Sequence, residues 1–424
     1  MARQATTKPQ KERPPFDPKT VGQSLAPSRG NFGKNLANWL FPAYVLMIAL
    51  GYGAYLSGIG VGAGGEKGSD LSLFHAINAA SLTGFTSTSG VNEFNAIGRS
   101  IAVLLMLGGT LFSFVVGGLA MVRILRLRFS DGGVIAASFI ATGGACVIGT
   151  VGGLIGGRGF LEALFYAVSA FSNTGLAPGV LPGPMDRMTH LLLLPLAMLG
   201  GVGITVLMEL FGSIRNRSKL SLHARTTIAW LAGVYVVGFV AIALVRWQAG
   251  GTGGDARLWL ASSSALAINS RSMGLPLEYA TSLARDVQWL LIVLMTIGAG
   301  SAGTAGGLKV STVAELVRGA KRALSGQSVG RTFGIAVVWV AMYAGMVLIA
   351  QLLLLNQLGV MPADRVFFLA VSAVGNVGLS HDPLSITKDG LYTLSAAMFA
   401  GRVVPLLVLW WMADTTTDGE LAIG

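Results

Sequence analysis

Ile297-Gly298-Ala299-Gly300-Ser301-Ala302-Gly303-Thr304-Ala305-Gly306-Gly307-Leu308-Lys309 is a run of small residues in a hydrophobic setting. Strong helix formers precede it from Trp289 to Met295, and the basic residues Arg318, Lys321 and Arg322 follow. Each glycine weakens a helix by about 1 kcal/mol relative to alanine, so the run predicts a break in a membrane-spanning helix. Irregular backbone at membrane depth survives only where protein buries it or it lines water. The stretch is therefore a candidate gate or binding element, with close helix packing through small residues as the alternative.

Composition supports the membrane setting. The chain has 424 residues, 53% hydrophobic and 12% charged, and a mean hydropathy of +0.66, which excludes an ordinary soluble domain. The net charge of +11 lies in short clusters between apolar spans, with no solvated domain to carry it. That distribution argues against nucleic-acid binding. Cys146 is the single cysteine and supports neither an intramolecular disulfide nor a thiolate cluster. His75, His190, His223 and His381 are scattered without ligand spacing, so neither a catalytic metal nor an enzyme is expected. Residues 1–38 are polar and rich in Pro, Lys and Arg, which reads as a disordered cytoplasmic tail rather than a cleavable signal.

Eight apolar stretches reach the roughly 20 residues needed to cross a bilayer: 39–61, 97–122, 133–156, 189–212, 227–247, 287–317 with the break, 332–356 and 390–412. Between the members of each pair lies a segment too short to cross, near 71–82, 160–173, 257–270 and 363–376. These four read as re-entrant half-helices. Lys and Arg concentrate in the tail and in loops of one parity (Arg123, Arg126 and Arg128; Arg215, Arg217, Lys219 and Arg225; Arg318, Lys321, Arg322 and Arg331). Both termini are therefore expected in the cytoplasm.

Repetition organises the whole. Each short segment ends in a turn containing glycine: Leu82-Thr83-Gly84, Asn173-Thr174-Gly175, Ser272-Met273-Gly274 and Asn376-Val377-Gly378. Val168 to Leu176 and Val371 to Leu379 agree at six of nine positions. The expected fold is an all-α integral membrane protein of four units, each helix, re-entrant pore helix and helix, around a central pore. Unit boundaries fall at 39–128, 129–225, 226–325 with the loop 298–309, and 326–424 with a short C-terminal tail. Four such turns can present a ring of backbone carbonyls that replaces the hydration shell of a monovalent cation. A carrier of alternating-access type, coupled to sodium or protons, would also use broken helices, although it more often shows inverted repeats.

The four turns, the loop from Gly298 to Lys309 and the run Gly401-Arg402-Val403-Val404-Pro405-Leu406 resemble the Trk/Ktr/HKT superfamily of potassium transporters. With four repeats and no extra amino-terminal hairpin, the chain looks closer to the Ktr membrane subunit than to Trk. The resemblance implies a filter at Leu82, Thr83, Gly84, Asn173, Thr174, Gly175, Ser272, Met273, Gly274, Asn376, Val377 and Gly378, with potassium held by carbonyls of Thr83, Thr174, Met273 and Val377. It implies an intramembrane gate at Gly298, Gly300, Ser301, Gly303, Thr304, Gly306, Gly307 and Lys309, with Arg402 beneath the filter. A serine at the first glycine is associated with sodium permeation in the family, so Gly84 favours potassium. Met273 stands where the family usually has alanine, and Val404 where it usually has glycine. The resemblance further implies a homodimer in the bacterial inner membrane. It implies a separate cytosolic ring (KtrA/TrkA-like), through which alone nucleotide (ATP or ADP) would act. No covalently bound cofactor is expected, and potassium is the substrate.

Several residues carry plainer readings. Gly298-x-Gly300-x-x-Gly303 matches a dinucleotide fingerprint but follows no strand and opens no βαβ unit. Arg402 lies mid-span, where charge costs roughly 2.5 to 3.5 kcal/mol; it is either a cation barrier in the pore or a clamp between helices. Lys309 either serves the gate or snorkels to the interface. Arg271, beside the third turn, is expected to brace that turn through hydrogen bonds.

Overall fold

The computed structural model describes residues 32–62, 65, 68–88, 93–179, 182–217, 219–248, 255–271, 275 and 277–415. The tail expected over 1–38 falls mostly outside them, as does the stretch 416–424.

The chain runs long helix, short helix, then long or broken helix, four times over. The first unit is α1 (Phe32–Leu56), α2 (Ser69–Ala80) and α3 (Ala96–Ile124). The second is α4 (Asp131–Ile155), α5 (Phe160–Phe171), α6 (Leu194–Val202, entered through a π turn at Thr189–Leu193) and α7 (Ile204–Asn216). The third is α8 (Leu222–Gln248), α9 (Ala256–Asn269), α10 (Arg285–Thr296) and α11 (Val310–Leu324). The fourth is α12 (Arg331–Gln357), α13 (Ala363–Val374) and α14 (Lys388–Thr415). Side-chain caps mark several starts: Asn95 accepts from the Gly98 amide, Ser130 from that of Gly133, and Asp255 from those of Arg257 and Leu258.

Among the described residues, six helices are long and apolar enough to cross a membrane, and one bent pair makes a seventh. The short helices α2, α5 and α13 have 12 residues each and α9 has 14. At 1.5 Å per residue they reach about 20 Å, short of the about 30 Å hydrocarbon core. They form the interior: Phe74, Phe165 and Phe368 are buried on α2, α5 and α13. The long helices carry the outward apolar faces, with Ile140, Ile155, Val338, Leu352 and Trp411 exposed.

One expectation fails. The stretch 189–212 does not form a continuous span; it bends by 102° between α6 and α7, at Gly203. Gly203 has φ 99°, and a Cβ there would stand 2.2 Å from the Ser301 carbonyl oxygen. The bend thus exists because the small-residue loop of the third unit crosses at this point. The break of 287–317 into α10 and α11 agrees with the glycine-run reading.

The units close into a ring. α3 packs on α4 and α5; α6 and α7 pack on α8, and α6 on α9; α11 packs on α12 and α10 on α13. α14 then returns onto α2 and α3 of the first unit. The short helices α2, α5 and α13 consequently end near one another.

Candidate functional site

Each short helix ends in a cap residue, Ser81, Ser172, Ser270 or Gly375. In three units the next residue is left-handed, Leu82 (φ 60°), Asn173 (φ 59°) and Asn376 (φ 48°), and two residues on a glycine is left-handed again, Gly84 (φ 84°), Gly175 (φ 80°) and Gly378 (φ 88°). Between them the amides of Thr83, Thr174 and Val377 reach back to the carbonyls of Asn78, Ser169 and Ser372, at 3.1, 2.9 and 2.9 Å. Side chains lock the turns. Asn78 accepts from the Gly84 and Phe85 amides and donates to the Phe85 carbonyl, all at 2.9 Å. Ser169 donates to the Leu176 carbonyl at 2.7 Å, and Asn269 pairs with the amide and carbonyl of Leu275.

These turns meet. A Cβ on Gly84 would lie 1.5 Å from the Thr174 carbonyl oxygen, and one on Gly378 would lie 2.0 Å from that of Thr83. The fourth, first and second turns thus stand side by side, backbone against backbone. Thr83, Thr174 and Val377 are fully buried, and their carbonyl oxygens accept no hydrogen bond among the described residues. A buried carbonyl without a donor is uncommon in a protein interior, and it is the ligand that a desolvated cation requires.

The third turn is built differently. Ser272, Met273 and Gly274 lie outside the described residues. The residue anchored by the helix side chain follows the cap by four positions in the first and second units (Phe85, Leu176) but by five here (Leu275). Arg271 occupies the position held by Leu82, Asn173 and Asn376. The bonds of its side chain to described residues go to the loop and to α8. Nη2 donates to the Gly298 carbonyl at 2.7 Å, Nε to that of Ile297 and Nη1 to that of Leu231, both at 3.3 Å.

The loop that receives Arg271 is a closed structure. Gly298 N donates to Leu308 O, Leu308 N to Thr296 O and Val310 N to Ala299 O, at 2.8, 3.0 and 3.0 Å, joining its two ends. Its far side bonds to the broken helix of the second unit: Gly300 N to Gly201 O at 2.9 Å, Thr304 N to Gly200 O at 3.1 Å, and Ile204 N to Ala302 O at 3.1 Å. Thr304 accepts from Asn173 Nδ2 at 2.6 Å and donates to the Phe171 carbonyl at 3.2 Å. A Cβ on Gly306 would sit 2.1 Å from the Gly375 carbonyl oxygen, and one on Gly117 of α3 would sit 3.0 Å from the Ala302 Cα. The loop therefore touches all three other units. Gly303 packs against the Gly201 and Gly300 carbonyls, Gly307 (φ 64°) turns the chain back, and the Ser301 hydroxyl meets that of Ser311 at 3.0 Å.

Arg402 is 4% exposed. Its Nε donates to the Ser81 carbonyl at 2.8 Å, directly under the first turn, and its Nη2 has no partner among the described residues. The carbonyl-clamp reading holds for one nitrogen, and no described carboxylate pairs with the charge. Lys309 Nζ donates to Ala305 O within the loop. Both cations line a cavity of about 250 Å³ with Ser301, Gly306, Trp339 and Met412. Among the described residues no cluster of His, Cys, Asp or Glu could hold a metal.

No family model matches the chain. The "Ktr system potassium uptake protein B" of Vibrio alginolyticus is 29% identical over 277 residues, 60% of this chain and 59% of that one. The protein of that name from Bacillus subtilis is 24% identical over 400 residues, 83% of this chain and 89% of its own. The crystal structure of the potassium transporter TrkH from Vibrio parahaemolyticus has the same fold, with a TM-score of 0.72 at 15% identity over 88% of this chain and 83% of that one. The chain is thus similar in sequence to Ktr potassium uptake proteins and in fold to a Trk transporter. The Ktr-like chain spans about three fifths of the length of the Vibrio relative. A third relative, "Potassium/sodium uptake protein NtpJ" of Enterococcus hirae, is 23% identical over 383 residues, 80% of this chain and 84% of that one.

Sequence reasoning missed the Gly203 bend and the anchors Asn78, Ser169 and Asn269. The run Gly200-Gly201-Val202-Gly203 inside an apolar span was a signal for the first. A polar residue repeating near the end of each short helix was a signal for the second.

Proposed function

We propose that this multi-pass membrane protein carries potassium inward across the cytoplasmic membrane. The ion passes a filter of backbone carbonyls at the four turns, and the loop from Gly298 to Lys309 gates the path below. The observation that carries the reading is the set of fully buried carbonyls at Thr83, Thr174 and Val377, juxtaposed across three units and bonded to nothing among the described residues. The remaining carbonyl of the proposed filter is that of Met273 in the third turn, which lies outside the described residues. Neutral carbonyls desolvate a monovalent cation without fixed charge in the pore, and the short helices add the negative ends of their dipoles. The names of the Ktr relatives, both potassium uptake proteins, support the choice of ion.

The loop, bonded below the second and third turns and packed under the fourth, closes the path. Arg402 and Lys309 place positive charge in the cavity beneath and oppose cation passage until the loop moves. Both termini face the cytoplasm, following the Lys and Arg distribution. A homodimer and a separate cytosolic nucleotide-binding ring belong to the same proposal.

Purified protein in vesicles tests it: rubidium influx should exceed sodium influx. Expression with the matching cytosolic subunit should restore growth at low potassium in bacteria lacking uptake systems. Equal rubidium and sodium flux, or flux accelerated by unlabelled ion on the opposite side as in a carrier, would refute the filter reading.

A further inference from the structure

The loop and the turns are not two layers that merely touch. Arg271, the first residue after the cap of α9, spends its guanidinium on the carbonyls of Ile297 and Gly298 at the entry of the loop. Asn173, the left-handed residue of the second turn, spends its amide on Thr304 at the loop's far side and on the Ala197 carbonyl of α6, at 2.6 and 3.0 Å. Thr304 returns the bond to Phe171, the last residue of α5. Contrast the equivalent Asn376, which bonds only within the fixed frame, to Thr83 Oγ1 at 3.0 Å and the Met398 carbonyl at 2.8 Å. Two turns are thus tied to the loop by side chains, one at its entry and one at its far side, while the other two are tied to each other.

All of these groups are buried. Arg271 is 6% exposed and Asn173 and Thr304 are fully enclosed, so a bond that breaks must be remade inside the protein or in the cavity of about 160 Å³ that Arg271 lines with Leu231 and Ala299. Moving the loop takes two carbonyl acceptors from the guanidinium, leaving it that of Leu231, and takes Thr304 from the Asn173 amide, leaving it the Ala197 carbonyl; each lost bond costs stability unless it is remade elsewhere. A perturbation that orders the turns must, by the same bonds, hold the loop in place. Coupling of this kind is reciprocal by thermodynamic necessity.

We propose that Arg271 and Thr304 are positioning residues that join the gate to the filter, so that potassium held at the turns and closure of the loop stabilise one another. Opening the loop then loosens the second and third turns specifically and releases the ion toward the cytoplasm. The proposal rests on the reading of the turns as a potassium filter.

The test uses the full chain with Cys146→Ala and Ser301→Cys, a near-isosteric thiol at a loop position 7% exposed. The rate at which a water-soluble thiol reagent modifies it is measured in potassium and in a large organic cation. Potassium should slow modification about fivefold or more, the lower end of ordinary coupling factors. Arg271→Gln and the isosteric Thr304→Val should each bring the ratio toward one in protein that elutes as a single folded species. A ratio unchanged in both variants would overturn the proposal. So would a parent whose loop ignores potassium although potassium raises its melting temperature. Potassium affecting neither melting nor accessibility would instead remove the filter reading beneath it.

Discussion

Replacing Gly84 by serine attacks the first turn where its geometry is tightest. The residue has φ 84°, and a Cβ would stand 1.5 Å from the Thr174 carbonyl oxygen of the neighbouring unit. Real Cβ atoms keep at least 3.0 Å from such an atom, so the carbonyl must retreat by roughly half that separation or swing away. Left-handed backbone adds about 1–2 kcal/mol for an L residue. Neither effect spares the ring, because the oxygen that moves is one of those proposed to hold the ion. A loss of about 1.4 kcal/mol in the preference for potassium over sodium is a tenfold change, and that is the expected shift in the rubidium-to-sodium influx ratio in vesicles. Gly143→Ser is the control: it lies in α4 with nothing within 4 Å of its Cβ and should leave the ratio unchanged. If Gly84→Ser folds and keeps the parent ratio, the carbonyls at this turn do not select the ion.

Other perturbations address the rest of the site. Gly203→Ala places a methyl 2.2 Å from the Ser301 carbonyl oxygen at φ 99°; it should lower the melting temperature by several degrees, whereas Gly233→Ala, open on α8, should be neutral or slightly stabilising. Deleting Ala299 to Thr304 should raise cation flux in assembled protein, and flux that stays level or falls would favour the packing role of the loop. His381 packs edge-on against Phe368 at 4.8 Å and meets Gln288 at 3.1 Å; burial, then Arg365, lowers its pKa from the ordinary value near 6.5. The folded state binds that proton less readily than the unfolded state, so this contribution to stability is full above pH 6.5 and declines as pH falls through the depressed value. Melting curves from pH 8 to 5 should show a slope that His381→Gln reduces.

The parts legible in the sequence are those where composition or repetition acts directly on the backbone. Span length marked the long helices because about 20 apolar residues match the bilayer. The turns were visible because glycine at a left-handed position leaves its mark in every unit that needs it, as at Gly84, Gly175 and Gly378. The break after Thr296 was visible because five glycines defeat helix propensity locally. What stayed hidden depends on contact between distant segments. Leu82 takes φ 60° without being glycine or asparagine, held there by Asn78 and the cap rather than by any preference of its own. The position of Arg271 suggests a brace for its own turn, and spacing along the chain cannot show that its guanidinium also reaches the loop 26 residues later.

The bend at Gly203 belongs to the same class, and it alters how the glycine run from Gly298 to Gly307 is understood. Propensity alone makes that run one hinge in one unit. In the structure α6 and α7 part where the loop crosses, and the carbonyls of Gly200 and Gly201 that the bend sets free are the acceptors for the amides of Thr304 and Gly300. The loop's Ala302 carbonyl in turn accepts the first amide of α7. Each break thus supplies the hydrogen-bond partners that the other lacks at membrane depth. Neither helix can straighten, nor the loop withdraw, without leaving buried amides and carbonyls unpaired on both sides. The second and third units therefore move together or not at all, and the proposed gate is a property of the pair.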